Sequence, residues 1–563
     1  MKWKTKAQPA AAEIKNLSET IHTDRVNSIL LLQRGILDYN AAKDFFKPEL
    51  ALLHDPFLMR DSEKAVEIIL NTIRDNHKIL VYGDYDVDGT TSVALFYTYL
   101  KSIEANCGYY IPDREKEGYG ISKNGIDYAK ANDFKLIVCL DCGIKANEMI
   151  SYAKSLDIGF IVCDHHLPGT ELPPALAILD PKRNDCEYPY KELSGCGIGF
   201  KLISAIQAQL KKPFSELMEY LDLVAISIAA DIVPITGENR VLCYHGLTVL
   251  NEFKRPAIKA LFQNMKAGKK ITVNELVFVV APRINAAGRI DHALRAVELL
   301  LSKTDAEATV HAEKINQTNA NRKEIDQEMT LEAKEMLTGI EERKSTVVFN
   351  PSWHKGVVGI VASRLMEKVY RPTIVLTKSG EMLTGSARSV KNFDIHHAIE
   401  SCSHLLVQFG GHKHAAGLTL KPENLEAFTK LFEETVASTI LPEMLEREIE
   451  VDVEIHFNEI NKRFYDILKL MGPHGPGNMT PVFCTRNVID TGWGKVVGTN
   501  HLKAEFYQID NPTLKWHAIG FDKGDYVHLL QKKLPLEISY SVAENNYNNI
   551  PSLQLFLRDI KLG

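Results

Sequence analysis

"KILVYGDYDVDGTTSVALF", residues 78–96, places three alternating aspartates and a glycine directly after a short apolar run. That run, residues 79–82, is typical of a buried strand, and the apolar residues after the glycine are typical of a helix. An EF-hand calcium loop also begins with alternating aspartates, but it needs flanking helices and a glutamate at its twelfth position. Counted from Asp84, the twelfth residue is Leu95. The stretch therefore predicts a strand, a turn and a helix, with these carboxylates at the carboxyl end of the strand: Asp84, Asp86 and Asp88.

Two further apolar runs repeat this pattern. "FKLIVCLDCG" and "IGFIVCDHH" carry Asp or His at the end of an apolar run, as "HKILVYGD" does, and helical stretches lie between them. Strands that alternate with helices predict a doubly wound, mainly parallel sheet, here extending to about residue 240. Because the carboxyl ends of parallel strands meet at one edge of such a sheet, we expect these polar residues to lie together.

Length and composition restrict the class of protein. A chain of 563 residues is too long for one core, so we expect several domains. The formal net charge of −6 argues against broad non-specific binding of nucleic acid but leaves room for a local basic channel. No apolar run reaches 18 residues, and the N-terminus lacks the apolar core of a secretory signal. With nine cysteines and no disulfide-type framework, we expect a cytoplasmic protein with reduced thiols and no membrane span.

The pattern of elements changes along the chain and predicts an α/β protein with two α/β lobes joined by long helices, followed by a small β-barrel. A second α/β segment begins with "STVVFNPSWHKGVVGIVASRL", and the last 120 or so residues read as short strands and turns. The predicted segments are an N-terminal helical cap (1–75), a first lobe (76–291), a helical connector (292–342), a second lobe (343–444) and the barrel (445–563).

Four groups of candidate metal ligands lie at strand ends or at a polar break in an apolar run. Taken alone, Asp141 is more typical of a helix N-cap, and Asp231 of a capped or salt-bridged residue. Together, such groups would repel and desolvate one another unless cations lay among them. Oxygen-rich ligands with one or two imidazoles suit Mn²⁺ or Mg²⁺, and there are enough for two ions. The groups are Asp84/Asp86/Asp88, Asp141, the Asp164-His165-His166 run and Asp231.

Three other sequence features do not predict a further activity or cofactor site. Cys139 and Cys142 form a C-x-x-C without a second pair, which is weak evidence for zinc or redox chemistry. The glycines of "SGCGIGF", residues 194–200, do not follow a strand as a dinucleotide fingerprint requires. No G-x-x-x-x-G-K-[ST] occurs, so nucleoside triphosphate hydrolysis is not expected.

The order of the motifs resembles the DHH phosphoesterase superfamily. "DYDVDG", "LDCG", "CDHH" and "AADIVP" carry that resemblance. "SGCGIGFKL", "APRINAAGR", "WHKGVVGIVASRL", "GSARS", "QFGGHKHAAG" and "GPHGPGN" are similar to its RecJ branch. The resemblance spans roughly residues 75–480 and puts the barrel in the place of that branch's OB-fold. It implies a DHH domain, a DHH-associated domain and 5′→3′ exonuclease activity on single-stranded DNA, which releases mononucleotides by two-metal hydrolysis in DNA repair and recombination.

The same resemblance assigns roles to residues. Asp86 would ligate one ion and Asp88 the other, Asp141 would bridge both, and His165 and Asp231 would complete the second ion. Asp84 would be an additional or outer ligand, and His166 would contact the scissile phosphate or assist the leaving group. Some superfamily members have a histidine ligand where this chain has Tyr82. The residues expected to hold substrate are Arg283, Asn285, Arg289, Ser386, Arg388, Gly411, His412 and His414.

Other interpretations remain open at this point. The chain could be a DHH phosphodiesterase acting on short oligoribonucleotides or cyclic dinucleotides, or a degenerate, non-catalytic strand-binding scaffold. The expected partners are single-stranded DNA, a single-strand-binding protein and a helicase, and we expect a monomer. Four aromatic residues of the barrel could stack on bases or fill its core: Trp493, Phe506, Tyr507 and Trp516.

Overall fold

The structure is a computed structural model that describes residues 1–266, 268–339, 342–545 and 552–563. Residues 340–341 of the predicted connector and 546–551 of the predicted barrel lie outside the described residues. Across the described ranges, no helix has both the length and the apolar character needed to cross a membrane.

The first 75 residues divide between two cores. They form β1 (Lys2–Thr5), α1 (Ala11–Ile21), α2 (Arg25–Leu32), α3 (Tyr39–Phe46) and α4 (Ser62–Arg74). Helices α1 and α2 bury leucine and isoleucine side chains in the core of the C-terminal barrel, whereas α4 packs into the core of the first lobe. The segment is mostly helical, as predicted, but its helices are divided between two domains: α1 and α2 pack on the C-terminal barrel, and α4 packs on the first lobe.

The first lobe contains a five-stranded sheet of order β3-β2-β4-β5-β6 in which every pair is parallel. Alternate residues of a strand face opposite sides, so Ile79 and Val81 join one core and Leu80 and Tyr82 the other. This confirms the mainly parallel sheet. The elements are β2 (Lys78–Gly83), α5 (Val87–Ser102), β3 (Cys107–Tyr110), α6 (Lys123–Ala131), β4 (Phe134–Leu140), α7 (Asn147–Ser155), β5 (Gly159–Cys163), β6 (Ala177–Leu179), α8 (Gly195–Gln209), α9 (Leu221–Ala230) and α10 (Gly237–Leu250).

Helices then lead to the second lobe. They are α11 (Pro256–Leu261), α12 (Val273–Glu275), α13 (Ala281–Ile290), α14 (Leu294–Leu301) and the 31-residue α15 (Asp305–Glu335). The last of these packs against α11, α13 and α14 at one end. At its other end it shares a core with the second lobe through Met329 and Ala333. An ion pair of 2.6 Å between the buried Asp326 and the 43% exposed side chain of Arg364 ties it to that lobe.

The second lobe has a five-stranded mixed sheet of order β10-β11-β9-β8-β7, in which only β7 and β8 are parallel. Its helices cover the sheet and complete an α/β lobe. The elements are β7 (Thr346–Phe349), α16 (Val358–Val369), β8 (Thr373–Ser379), β9 (Met382–Arg388), α17 (Ile395–Glu400), β10 (Leu406–His412), β11 (Ala415–Leu420) and α18 (Leu425–Thr439).

The C-terminal strands close on themselves. Pairing runs β14-β18-β19-β17-β16 and returns from β16 to β14, which is a five-stranded barrel as an OB-fold requires. Strand β1 pairs with β12 beside it. The elements are β12 (Glu448–Val451), β13 (Val453–Glu454), α19 (Lys462–Leu470), β14 (Phe483–Asp490), β15 (Lys495–Val497), β16 (His501–Gln508), β17 (Asn511–Gly520), α20 (Val527–Gln531), β18 (Leu536–Asn545) and β19 (Ser552–Leu562).

Short helical turns complete the described secondary structure. One is a π-helical turn, Leu276–Val280, and the others are 3₁₀ turns at Leu50–Leu52, Pro56–Leu58, Phe214–Tyr220, Ser403–Leu405, Pro422–Asn424, Pro442–Leu445, Phe457–Glu459 and Gly524–Tyr526.

Candidate active site

The turn after β2 places its aspartates at the start of α5. Asp86 is the N-cap of that helix and accepts a hydrogen bond of 3.0 Å from the Gly89 amide. Gly89 allows the turn to close, because a Cβ there would lie 2.3 Å from the Asp84 carbonyl oxygen. A strand precedes the aspartates and a helix begins at Val87, so Asp84 and Asp86 lie before α5 and Asp88 lies in its first turn; the arrangement is not an EF-hand.

Asp88 is held by a helix that begins more than 100 residues later. Its two carboxylate oxygens accept hydrogen bonds of 2.7 Å from the backbone amides of Gly195 and Cys196 at the N-terminus of α8. Ser227 of α9 donates a third, also of 2.7 Å. A helix N-terminus stabilises a carboxylate through its free amides and its dipole. The glycine-rich segment for which the sequence favoured no chemistry is therefore a support for Asp88.

Asp141 follows β4 and approaches α8 closely. A Cβ on Gly195 would lie 2.6 Å from the Asp141 Cβ, so only glycine fits at this point. The Asp141 backbone has a left-handed φ of 62°. Burial, and then the charges of Asp88 and Asp86, raise the pKa of Asp141 well above its ordinary value.

His165, after β5, lies among three of the carboxylates. Its Nε2 is 3.2 Å from an Asp141 oxygen, 3.6 Å from an Asp231 oxygen and 3.8 Å from an Asp88 oxygen. Burial lowers the pKa of the imidazole, which favours the neutral form with a free lone pair. Both ring nitrogens are buried and have no hydrogen-bond partner among the described residues. An orphaned imidazole beside carboxylates has the features of a metal ligand.

His166 is paired with Asp164 rather than with the other carboxylates. Its Nδ1 lies 2.7 Å from Asp164 Oδ1, and its Nε2 lies 3.3 Å from the Tyr119 hydroxyl. Burial raises the pKa of Asp164, but the hydrogen bond and charge of His166 outweigh it and hold that pKa at about 2. Burial lowers the pKa of His166, but the bond and charge of Asp164 outweigh it and raise that pKa to about 9. The buried Asp164 carboxylate therefore favours the protonated form of His166.

Asp231 and Asp84 complete the cluster from opposite sides. Asp231 ends α9, and burial followed by the charges of Asp88 and Asp86 raises its pKa to about 8. Burial and the charge of Asp86 raise the pKa of Asp84 to about 8 as well. Two sets of three ligand atoms lie within 4.8 Å of one another: Asp88, His165 and Asp231, and Asp141, His165 and His166. Such a donor set fits Mn²⁺ or Mg²⁺.

A cavity of about 700 Å³ separates the two lobes beside this cluster. A smaller cavity of about 230 Å³, lined by Asp84, Asp86 and Asn285, adjoins it, and both share Arg289. Burial, and then the charges of three other arginines, lower the pKa of Arg289 to about 10. Uncompensated cations in a cleft are typical of an anion site. The predicted residues that line the large cavity are Arg289, Ser386, Arg388, Gly411 and His412.

Arg114, Tyr119 and Lys355 also line this cavity, and none of them was predicted from the sequence to bind substrate. Arg114 and Tyr119 lie in the segment between β3 and α6, and the Arg114 guanidinium lies 5.0 Å from the Tyr85 ring centroid. Arg114 and Tyr119 belong to no strand end and no quoted motif, whereas Lys355 lies in "WHKGVVGIVASRL", where the sequence assigned it no role.

Some predicted residues are engaged elsewhere. Arg283 donates to the Asn316 side chain at 2.7 Å and to the Val279 carbonyl at 2.6 Å, which directs it toward α15 instead of the cavity. His414 lies beside His412, with their ring centroids 5.9 Å apart. The Tyr82 hydroxyl donates to the Gly120 carbonyl at 3.0 Å, on the opposite face of the sheet.

The remaining candidate residues lie either in protein cores or on the surface of the barrel. Cys139 and Cys142 are buried free thiols in the part of the chain that the structure describes. Phe506 is fully buried in the barrel core, which excludes it as a stacking surface. Trp493 is 40% exposed, with the Lys495 and Lys503 ammonium groups 5.1 Å and 5.0 Å from its ring centroid.

Three family models match successive parts of the chain. They are the N-terminal domain of the DHH family over residues 78–228, the DHHA1 domain over 343–438 and the RecJ OB domain over 451–559. These matches coincide with the first sheet, the second lobe and the barrel.

Similar proteins cover most of the chain. The single-stranded-DNA-specific exonuclease RecJ of Bacillus subtilis is 35% identical over 567 residues, which are 99% of this chain and 70% of that protein. The protein of the same name from Escherichia coli is 35% identical over 521 residues, 88% of this chain and 90% of that protein. The crystal structure of RecJ from Thermus thermophilus in complex with Mn²⁺ aligns with a TM-score of 0.86 at 26% identity, covering 100% of this chain and 80% of that one. A structure of exonuclease RecJ bound to manganese aligns with a TM-score of 0.61 at 31% identity, covering 70% of this chain and 98% of that one.

Proposed function

Because this chain belongs to the RecJ family of single-stranded-DNA-specific exonucleases, we propose that it degrades single-stranded DNA 5′→3′ to mononucleotides by metal-dependent hydrolysis, in DNA repair and recombination. One observation carries the proposal. His165 has two buried nitrogens without a hydrogen-bond partner in the described structure, and its Nε2 lies within 3.8 Å of three carboxylates. The alternative of a degenerate scaffold requires lost ligands, and these ligands are all present.

The carboxylates and His165 would hold two Mn²⁺ or Mg²⁺ ions. Asp88, His165 and Asp231 would hold one ion, Asp86 would hold the other, and Asp141 would be available to both. Asp84 lies on the outer side, in the smaller cavity. A pair of divalent ions supplies an activated hydroxide and polarises the phosphoryl group that is attacked.

The chain's own residues orient the phosphate. His166, hydrogen-bonded through Nδ1 to Asp164, presents its Nε2 toward the Tyr119 hydroxyl at 3.3 Å. These two groups can donate hydrogen bonds to a non-bridging oxygen or to the leaving oxygen. The backbone support of Asp164, which accepts from the amide of Ile144 at 2.9 Å, keeps this imidazole in place during turnover.

The cavity between the lobes tracks the sugar–phosphate backbone. Arg114, Arg289 and Arg388 surround it, and the Arg388 guanidinium donates to Ser386 at 2.7 Å, which aims both side chains at one point. Arginine forks bind phosphate without reading bases, which suits a nuclease of low sequence preference. The glycine-rich strands at Gly410 and Gly411 let a DNA backbone approach closely. Exposed Trp493 on the barrel offers a surface for base stacking.

The other expectations remain part of this proposal. We propose that the protein acts in the cytoplasm as a monomer, and that a single-strand-binding protein and a helicase supply its substrate. We also propose functional segments at 1–75, 76–291, 292–342, 343–444 and 445–563. The first of these segments supports both the barrel and the first lobe.

The test uses a 40-nucleotide strand labelled at either end, offered as DNA, RNA or duplex DNA, and a dinucleotide for comparison, each with Mn²⁺ or Mg²⁺. We expect a 5′ label on DNA to appear at once as a mononucleotide and a 3′ label to shorten progressively. Asp141→Ala is the inactive control, with circular dichroism to verify its fold. Release of a 3′ label first would contradict the polarity, and preference for a dinucleotide would favour the phosphodiesterase alternative.

A further inference from the structure

The segment "GPHGPGN", residues 472–478, has no role in the chemistry described so far. It connects α19 to β14 at the base of the barrel. Gly475 and Asn478 exchange backbone hydrogen bonds of 3.1 Å and 2.8 Å, and Gly477 between them has a left-handed φ of 73°. The segment is therefore a tight turn with a defined shape.

Side chains from distant parts of the protein hold this turn. The buried Asn478 amide donates to the carbonyls of Met471 and Pro473 at 2.8 Å and 2.9 Å. Its oxygen accepts from Arg34 Nε at 2.8 Å. Arg240 of α10, in the first lobe, donates to the Met471 carbonyl at 2.9 Å. The turn is thus fastened to the N-terminal helices and to the first lobe at once.

The turn packs against the residues that follow Asp231. The Ile235 amide donates to the Pro476 carbonyl at 2.7 Å. A Cβ on Gly475 would lie 2.5 Å from Ile235 Cδ1, and a Cβ on Gly477 would lie 2.8 Å from Thr236 Cγ2. The two glycines therefore allow the turn to contact Ile235 and Thr236 closely, and a larger residue at either position would push the turn away from them.

Between Asp231 and this contact lies a strained residue. Ile232 has a φ of 59°, a left-handed conformation that β-branched side chains rarely adopt, and its side chain is exposed. Such strain persists where the surroundings fix both flanks. On one flank, the Asp231 amide bonds to the Ser227 carbonyl of α9 at 2.9 Å. On the other flank, the Tyr190 hydroxyl and the Asn239 amide both donate to the Pro234 carbonyl, and the turn holds Ile235.

We propose that the turn 472–478 is a positioning element for Asp231, so that docking of the C-terminal barrel on the first lobe sets the geometry of the metal site. This inference rests on the proposed function, in which Asp231 ligates a metal ion. In this proposal the turn acts on Asp231 through residues 232–236, which it contacts at Ile235 and Thr236. Outer residues that orient a metal ligand affect metal affinity on the order of ten- to a hundredfold.

The test compares alanine substitutions at two glycines that both have a positive φ. Gly477 and Gly492 both have positive φ, of 73° and 94°, so alanine costs both positions similar backbone strain. Only at position 477 of the two would the new methyl meet the first lobe, because no atom of the described residues lies within 4 Å of a Cβ at position 492. We expect Gly477→Ala to raise the Mn²⁺ concentration for half-maximal nuclease rate on the order of tenfold, with a smaller change in the rate at saturating Mn²⁺. Gly492→Ala should match the wild type.

A second readout does not depend on activity. Electron paramagnetic resonance of free Mn²⁺ titrated with the whole chain should show the same loss of affinity in Gly477→Ala. Adding Thr236→Ser removes the methyl that would clash but keeps the hydroxyl that contacts Tyr190 at 3.2 Å, and should restore Mn²⁺ affinity. Gly475→Ala, at a position without positive φ, is the second variant should Gly477→Ala fail to fold, and should shift affinity in the same direction.

The outcomes separate the inference from the function on which it rests. If the Gly475→Ala and Gly477→Ala variants that fold bind Mn²⁺ with wild-type affinity, the turn does not position Asp231 and the inference is overturned. If Asp231→Asn itself leaves Mn²⁺ affinity unchanged, the ligand assignment in the proposed function is wrong, whatever the turn does.

Discussion

Replacing Asp231 with asparagine should stabilise the metal-free protein while it weakens metal binding. In the absence of metal, Asp231 lies beside other carboxylates, and burial and the charges of Asp88 and Asp86 raise its pKa to about 8. The unfolded chain loses this proton near pH 3.8, whereas the folded protein keeps it until about pH 8. Ionisation therefore favours unfolding, and stability falls as the pH rises from about 4 to about 8. Asparagine has no proton to lose.

The magnitude follows from the same shift. Four pH units at about 1.4 kcal/mol each set a ceiling of about 5–6 kcal/mol at pH 8. The Asp231 side chain is 27% exposed and shares its protons with neighbouring groups, so solvent and coupling reduce the effect. We expect a gain of about 2 kcal/mol in the free energy of unfolding of Asp231→Asn at pH 8.

The assay is urea denaturation in EDTA at pH 5 and pH 8, repeated with Mn²⁺. The variant should exceed the wild type at pH 8 in EDTA, by less at pH 5, and lose its advantage when Mn²⁺ stabilises the wild type by binding. Asp88→Asn is the matched control. The Asp88 carboxylate accepts three protein hydrogen bonds of 2.7 Å. The side-chain N–H of an asparagine would face a backbone N–H donor there and could not accept its hydrogen bond. That variant should be less stable in EDTA. An Asp231→Asn protein no more stable than the wild type at pH 8 would refute the electrostatic reasoning.

Three further predictions concern residues around the site. Gly195→Ala would put a methyl 2.6 Å from the Asp141 Cβ, and should cost about 1–3 kcal/mol in urea denaturation and most of the nuclease rate; a wild-type rate would contradict the close packing. Arg388→Ala should weaken binding of single-stranded DNA and reduce the slope of log affinity against log salt by about one. Arg388→Lys should keep that slope, because it keeps the charge, but should still bind DNA less tightly, because it lacks the forked guanidinium that lies beside Ser386. Burial lowers the pKa of His474 to about 4, so the unfolded chain gains this proton first as the pH falls below 6.5. The wild type should therefore lose about 1 kcal/mol more stability than His474→Gln between pH 7 and pH 5, and equal losses would show that His474 is not protected.

Much of the fold and of the metal cluster could be predicted from local patterns. Apolar runs that end in Asp or His identified the parallel strands, and parallel strands bring their carboxyl ends to one edge. For that reason Asp86, Asp141 and His165 could be placed together before any contact was known. The closed barrel likewise followed from short strands separated by turns.

Other features depended on packing between segments far apart in the chain. Arg114 has no periodic or motif context, yet it lines the cavity between the lobes. Arg283 sits in a motif that predicted phosphate binding, but the packing of α13 on α15 gives its guanidinium to Asn316. A side chain's partner depends on which helix packs beside it, and the order of residues along one segment does not encode that.

The sequence by itself determined which residue types meet at the sheet edge, because strand direction and the two-residue period of a strand are local properties. Only the tertiary structure decided how each carboxylate is held. Asp88 is bound by the N-terminus of α8, Asp141 by its close approach to Gly195, and the segment after Asp231 by the turn at Pro476. Hydrogen bonds and close contacts of this kind require two distant segments to reach within a few ångströms, and that distance exists only once the lobes and the barrel have packed.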